Sequence, residues 1–231
     1  MRAIRILAVF VLMLCGGRLV LAADTTISNL TAASSMADAN EFAINEAGTS
    51  KKLSGTLIKA WAGNVLRNVS TAAQSPAAGA STYLTNSNIA VPTGKLRIGT
   101  VFRWTLVFTK TAAGTATRAH IVRIGTLGTT GDAAIITLTS GTPTAAVDTG
   151  IQIITVVIRG PLSASCIASG GSSASHQLST TGLFAVQTET LQVTSGTFDC
   201  TVANLIVGLS VTTGASEALT YQQVIAEAYN L

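Results

Sequence analysis

Two histidines, two aspartates and two serine-rich stretches are the first residues to test for chemistry. His120 in "RAHIVRI" and His176 in "SASHQLS" each stand alone in a strand-like run. A metal centre ordinarily needs three or four ligands in closed geometry. Two isolated histidines among ten scattered acidic residues supply no evident set, so neither a metal nor a cofactor is expected. Asp132 and Asp148 flank one strand-like segment and could form the carboxylate pair of a glycosidase. Turns, however, commonly carry aspartate for local hydrogen bonding. The serines of "GPLSAS" and "GGSSAS" lack the strand–turn–helix context of a nucleophile elbow, and no helix follows to cradle a phosphate. The expectation is a chain without enzyme activity.

Cysteine usage adds one structural option. Of the three cysteines, Cys15 lies in an N-terminal leader, which leaves Cys166 and Cys200. An even pair in an exported chain can form a disulfide, whereas small buried thiols are equally common in strands. The leader, "MRAIRILAVFVLMLCGGRLVLAADT", has a basic start, an apolar run from Ile6 to Leu14 and small residues at Ala22 and Ala23. That is the pattern of a secretory signal peptide over residues 1–23. Arg18 leaves the apolar stretch too short for a comfortable membrane span. A lipoprotein signal at Cys15 fits less well, because Leu14 precedes the cysteine.

The elements that would position these residues are mainly β. Candidate strands include "STYLT", "KLRIG", "VFRWTLVFTK", "ATRAHIVRIG", "AAIITLT", "IQIITVVIRG", "SASCIAS", "HQLST", "ETLQVTS", "NLIVGLSVTT" and "ALTYQQVIAEAYNL". Clusters of Gly, Pro, Asp and Ser divide them, "ASGGSSAS" among these clusters. Many short alternating strands imply a sandwich or barrel, and a jelly-roll-like antiparallel sandwich over residues 81–231 suits this length. In "VFRWTLVFTK", Phe102, Trp104, Leu106 and Phe108 share one face and form the expected core stripe. Arg103, Arg118 and Arg123 then fall on strands whose other faces are buried, as solvated side chains or interface ion pairs.

Ahead of the sandwich lie an arm, residues 24–68, and a small-residue linker, residues 69–80. In the arm, "EFAINE" and "SKKLS" flank Gly48 as a hairpin, carrying Phe42, Ile44, Lys51 and Lys52. Ser54 can cap a short helix whose apolar face is Leu57, Ile58, Trp61 and Val65. A hairpin and helix of this size cannot bury enough surface to stand alone. The apolar face therefore needs a partner, which makes the arm a candidate docking element.

Composition narrows the partners. Only 10% of residues are charged and 5% aromatic, against about 25% charged in an ordinary soluble domain. The formal charge of +4 includes three leader arginines. Without them eleven basic residues face ten acidic ones, and no basic cluster interleaved with aromatics appears. Nucleic-acid binding is not expected. A hydroxylated, nearly uncharged β domain must avoid edge-to-edge aggregation, and closed symmetric assembly is one way to hide its edges.

The segment "TTISNLTAASSMADANEFAINEAGTSKKLSGTLIKAW" resembles a short N-terminal module of bacteriophage virion proteins. The segments "YLTNSNIAVPTGKLRIGTVFRWTLVFTKTAAGTATRAHIVRIGTLGTTGDAA", "DTGIQIITVVIRG" and "FDCTVANLIVGLSVTTGASEALTYQQVIAEAYNL" resemble a phage minor structural domain of fibre or capsid-decoration type. The resemblance implies docking to a particle through the arm, contact with other virion proteins, and an exposed, often trimeric, β knob. A host-surface glycan or protein would be its ligand. A secretory leader is not part of that pattern. It points instead to a second reading, a secreted or periplasmic surface-binding protein of adhesin type.

Overall fold

The computed structural model describes residues 41–46, 49–54, 65–111, 115–178, 181–184, 188–215 and 219–231. The chain divides into two units, Met1–Ile58 and Lys59–Leu231. In the first, β1 (Glu41–Glu46) and β2 (Thr49–Ser54) pair antiparallel as the expected hairpin, with Glu46 opposite Thr49 and Glu41 opposite Ser54. Phe42 lies opposite Leu53, Ile44 opposite Lys51, and Lys52 opposite Ala43. The leader and the expected helix with Leu57, Ile58 and Trp61 lie outside the described residues.

The second unit is antiparallel β, as the alternation implied. Its strands are β3 (Leu66–Ser70), β4 (Ser81–Tyr83), β5 (Ile89–Ala90), β6 (Val101–Lys110), β7 (Ala119–Gly125), β8 (Ala133–Thr139), β9 (Asp148–Ile158), β10 (Ala168–His176), β11 (Thr188–Thr194), β12 (Ile206–Thr212) and β13 (Leu219–Tyr229). Six of them form one sheet in the order β11-β10-β9-β6-β13-β3. The other sheet runs β4-β12-β7-β8, and β5 also pairs with β12.

The stripe on β6 is the centre of the core. Phe102, Trp104, Leu106 and Phe108 are fully buried, and the Phe102 and Trp104 rings stack with centroids 6.3 Å apart. Trp104 is not purely apolar. Its Nε1 donates to the Ser87 carbonyl at 2.7 Å, while Ser87 Oγ donates to the Leu209 carbonyl at 3.0 Å. A buried indole N–H needs such a partner. The 84–88 turn is thereby fastened to β12 of one sheet and to β6 of the other.

Three local expectations are corrected. "KLRIG" is a pair of turns rather than a strand: Lys95 N donates to the Pro92 carbonyl, and Thr100 N to the Arg97 carbonyl. Gly94 and Gly99 take positive φ there, which glycine does at little cost. "ASGGSSAS" is not a loop but most of β10, hydrogen-bonded along its length to β9 and β11. Val65 does not join a helix face; it is 50% exposed and leads directly into β3, which pairs with β13 at the sheet edge.

Candidate functional site

The strongest constellation of titratable groups lies at one end of β6, β9 and β10. Register sets Lys110 opposite Asp148 and Gly150 opposite His176. Asp148 Oδ2 is bonded to His176 Nδ1, and both side chains are wholly buried. The carboxylate also accepts from the amides of Thr149 at 2.8 Å and Leu183 at 2.9 Å. Burial works against its charge, yet the Leu183 amide, the His176 bond and the Thr149 amide together hold Asp148 below the usual carboxylate range.

Around this pair lie the buried residues 182–184, between β10 and β11 in sequence. Gly182 N donates to Thr144 Oγ1 at 2.5 Å, and Phe184 sets its ring edge-on to His176 with centroids 5.3 Å apart. Arg118, fully buried, lies between the rings of Phe108 at 5.1 Å and Phe184 at 4.7 Å. It also donates to the Leu183 carbonyl at 3.4 Å. Lys110 Nζ donates to the Thr144 carbonyl at 2.6 Å. Arg118 is thus neither the solvated side chain nor the interface ion-pair member expected of it. Its guanidinium is held by two aromatic faces, an arrangement favourable for a planar cation out of water.

The other histidine has a partner as well. His120 Nε2 lies 2.7 Å from the Tyr221 hydroxyl, a bond from β7 of one sheet to β13 of the other. Burial, followed by the nearby Arg118 charge, pushes the His120 pKa down to about 3. The imidazole is neutral across the ordinary pH range. Asp132 follows the turn expectation: it accepts from the amides of Leu127 at 3.0 Å and Gly128 at 2.7 Å.

Chemically the Asp148–His176 cluster is a clamp. A relay of this kind becomes a catalyst only when a nucleophile and a substrate can approach the imidazole. Here the imidazole packs edge-on against Phe184, and the carboxylate accepts from two backbone amides as well as bonding to His176. Among the described residues no group of three or more His, Cys, Asp or Glu is arranged to hold a metal ion.

Cys166 and Cys200 are brought together. Both are buried free thiols, and burial together with the neighbouring Cys200 pushes the Cys166 thiol up to about 12. The backbone beside them pairs, with reciprocal bonds between Cys166 and Phe198 at 2.9 Å. Cys200 Sγ also donates to the Ser163 carbonyl at 3.4 Å.

The remaining candidate is a surface. On the outward side of the six-stranded sheet, β6 presents Val101, Arg103, Thr105, Val107 and Thr109, all partly exposed. Cross-strand register places Ile153 and Ile225 on either side of Thr105, and Val69 beyond Ile225. Ile151, beside Val107, is 47% exposed. Towards β10 the same face carries only small residues, Ser169, Gly171, Ser173 and Ser175. A shallow depression of about 540 Å³ is lined there by Thr155, Val157, Arg159, Ser169, Gly171 and Gln192 among others. The alternation of β6 and β9 carried the signal for the aliphatic side, but β10 had to be recognised as a strand before the depression could be placed.

No family model matches the chain, and no curated protein matches it. Among solved structures, one described as the structure of infectious bursal disease virus Gx strain is similar at a TM-score of 0.27 and 8% identity. The alignment covers 80% of this chain and 45% of that chain. Such a likeness identifies no family.

Proposed function

We propose that this chain is a non-enzymatic structural component of a virus particle, of the phage fibre, spike or decoration kind. In this reading the arm that starts at residue 24 and carries the β1–β2 hairpin docks to other virion proteins, while its expected last residues, Leu66–Asn68, belong to β3 of the β unit, which stands outward as a jelly-roll-like trimeric knob. The observation that carries the proposal is the order of its parts. A separate β1–β2 hairpin precedes an all-antiparallel unit, in the arrangement implied by the sequence segments that resemble phage virion proteins. An arm whose strands expose unpaired backbone can add to a neighbour's sheet, and three copies on one rigid body multiply weak surface contacts.

The leader favours a second reading, a secreted surface-binding protein. Purified particles and the cell envelope of a host expressing the full chain would be probed by mass spectrometry. Recovery of the chain with particles is expected. A chain found only in the periplasm or medium, starting near Asp24, would overturn the virion reading in favour of the secreted one. The secreted form would be two mass units lighter if Cys166 and Cys200 were bridged by exchange with oxidised glutathione, which is reduced to two thiols in the process.

A further inference from the structure

We propose that Cys200 and Cys166 are a thiol–disulfide exchange pair: Cys200 meets small uncharged disulfides through an apolar cavity, and Cys166 then closes an intramolecular bridge. This site is independent of the virion reading. Backbone bonds hold the two segments side by side. Cys166 and Phe198 exchange reciprocal bonds at 2.9 Å, Cys200 N donates to the Ser163 carbonyl at 3.2 Å, and Ser195 N to the Ala168 carbonyl at 2.8 Å. Ala168 N donates back to Ser195 Oγ at 2.8 Å. Residues directly opposite in an antiparallel pair share a face, as do residues two apart in an extended chain. Phe198 and Cys200 are buried with Asp199 exposed between them, so Cys166, Phe198 and Cys200 lie on one side. The Cys200 thiol is near enough to help raise the Cys166 pKa. Cys166 leads into β10 of the six-stranded sheet and Cys200 towards β12 of the other. A bridge between them ties the two sheets covalently.

The two thiols differ in access. Cys166 is fully buried, whereas Cys200, at 7% exposure, lines a cavity of about 240 Å³ with Val91, Pro92, Leu162, Val202 and Leu205 among others. Leu162 and Val202 are themselves 43% and 42% exposed, so the cavity opens to water. Its apolar lining favours an uncharged reagent over an ionic one. Exchange proceeds by thiolate attack on a disulfide sulfur through a mixed disulfide. Cys200 loses its proton to water, its sulfur bonds to one sulfur of the reagent, and the reagent's S–S bond breaks. The departing thiolate takes up a proton. Cys166 then loses its proton and attacks Cys200 Sγ, expelling the second thiol. The pair is thereby oxidised by two electrons, and the reagent is reduced to two thiols. Burial, the largest cause of the raised Cys166 pKa, persists in the mixed disulfide. Closure is therefore the slower step, and it quickens as pH rises and the thiolate fraction grows.

The test treats the full chain carrying Cys15→Ser, so that only these two thiols report, with bis(2-hydroxyethyl) disulfide and follows its mass. The folded chain is expected to end about two mass units lighter, through a transient adduct of about 76 Da that decays faster at pH 9 than at pH 7. Closure should raise the thermal midpoint by roughly 5–15 °C, and dithiothreitol should reverse the rise. Cys166→Ala is expected to stop at the adduct on Cys200, and Cys200→Ala to stay unmodified while folded, with circular dichroism checking each fold. A folded parent that keeps both thiols free, or that ends with two adducts, would overturn the inference whether or not the variants fold. Equal adduct formation in the two folded variants would overturn the roles assigned to the two thiols.

Discussion

At the scale of the residue, buried polar groups decide most of what is unusual in this molecule. His120 is folded in as a neutral base, with a pKa near 3 against 6.5 when free. As pH falls below about 6.5 the unfolded chain takes up a proton that the folded chain refuses until about pH 3. Stability is therefore full above that window and declines through it, by up to about 1.4 kcal/mol per pH unit. Asp148 adds to the loss at lower pH, since its depressed carboxylate must also be protonated. Urea unfolding at pH 7, 5.5 and 4.5 should show this slope, and His120→Gln should flatten it; equal slopes would remove His120 as the cause. Gln152 offers a second test. It is fully buried on β9, and neither side-chain amide atom has a hydrogen-bond partner among the described residues. Gln152→Met, similar in volume and without the desolvated amide, is expected to raise unfolding free energy by about 1–3 kcal/mol. A destabilised variant would show that the amide is satisfied in solution.

At the scale of the element, β6 was legible and β10 was not, for reasons that lie in their side chains. "VFRWTLVFTK" alternates large apolar and polar residues, and each inward position is buried in the structure. "ASGGSSASH" carries almost no apolar side chain to reveal a period, yet it is hydrogen-bonded on both sides. Its small residues answer to crowding. A Cβ on Gly170 would lie 2.8 Å from Ile136 Cδ1 and 2.9 Å from Val156 Cγ2. Gly170→Val is accordingly expected to cost about 1–3 kcal/mol by overpacking, read as a lowered denaturation midpoint; an unchanged midpoint would mean that these side chains yield freely. The same missed strand hid the clamp. Once β9 and β10 are seen as neighbours, register sets Gly150 opposite His176 and brings Asp148 within reach of it. Without that pairing the two residues are merely 28 positions apart. Arg118 escaped for a different reason, since Phe184, one of the two rings that hold it, comes from a distant part of the chain.

At the scale of the whole molecule, the mainly antiparallel β class followed from strand alternation alone, while the strand order is a matter of long-range pairing that no local pattern encodes. The β1–β2 hairpin is the converse case, since its pairing is local and readable. The position of β13 has a consequence for biosynthesis. This strand lies between β6 and β3, pairing with both, and its Tyr221 is the cross-sheet partner of His120. Until residues 219–229 have left the ribosome, β6 has only β9 beside it and β3 has no neighbour in the sheet. Contacts so remote in sequence carry the loop-closure cost that slows β proteins, and unpaired edges invite association with other nascent chains. Translation of the preceding residues thus produces apolar strands before their central partner exists, so the nascent chain is at its most vulnerable just before β13 emerges.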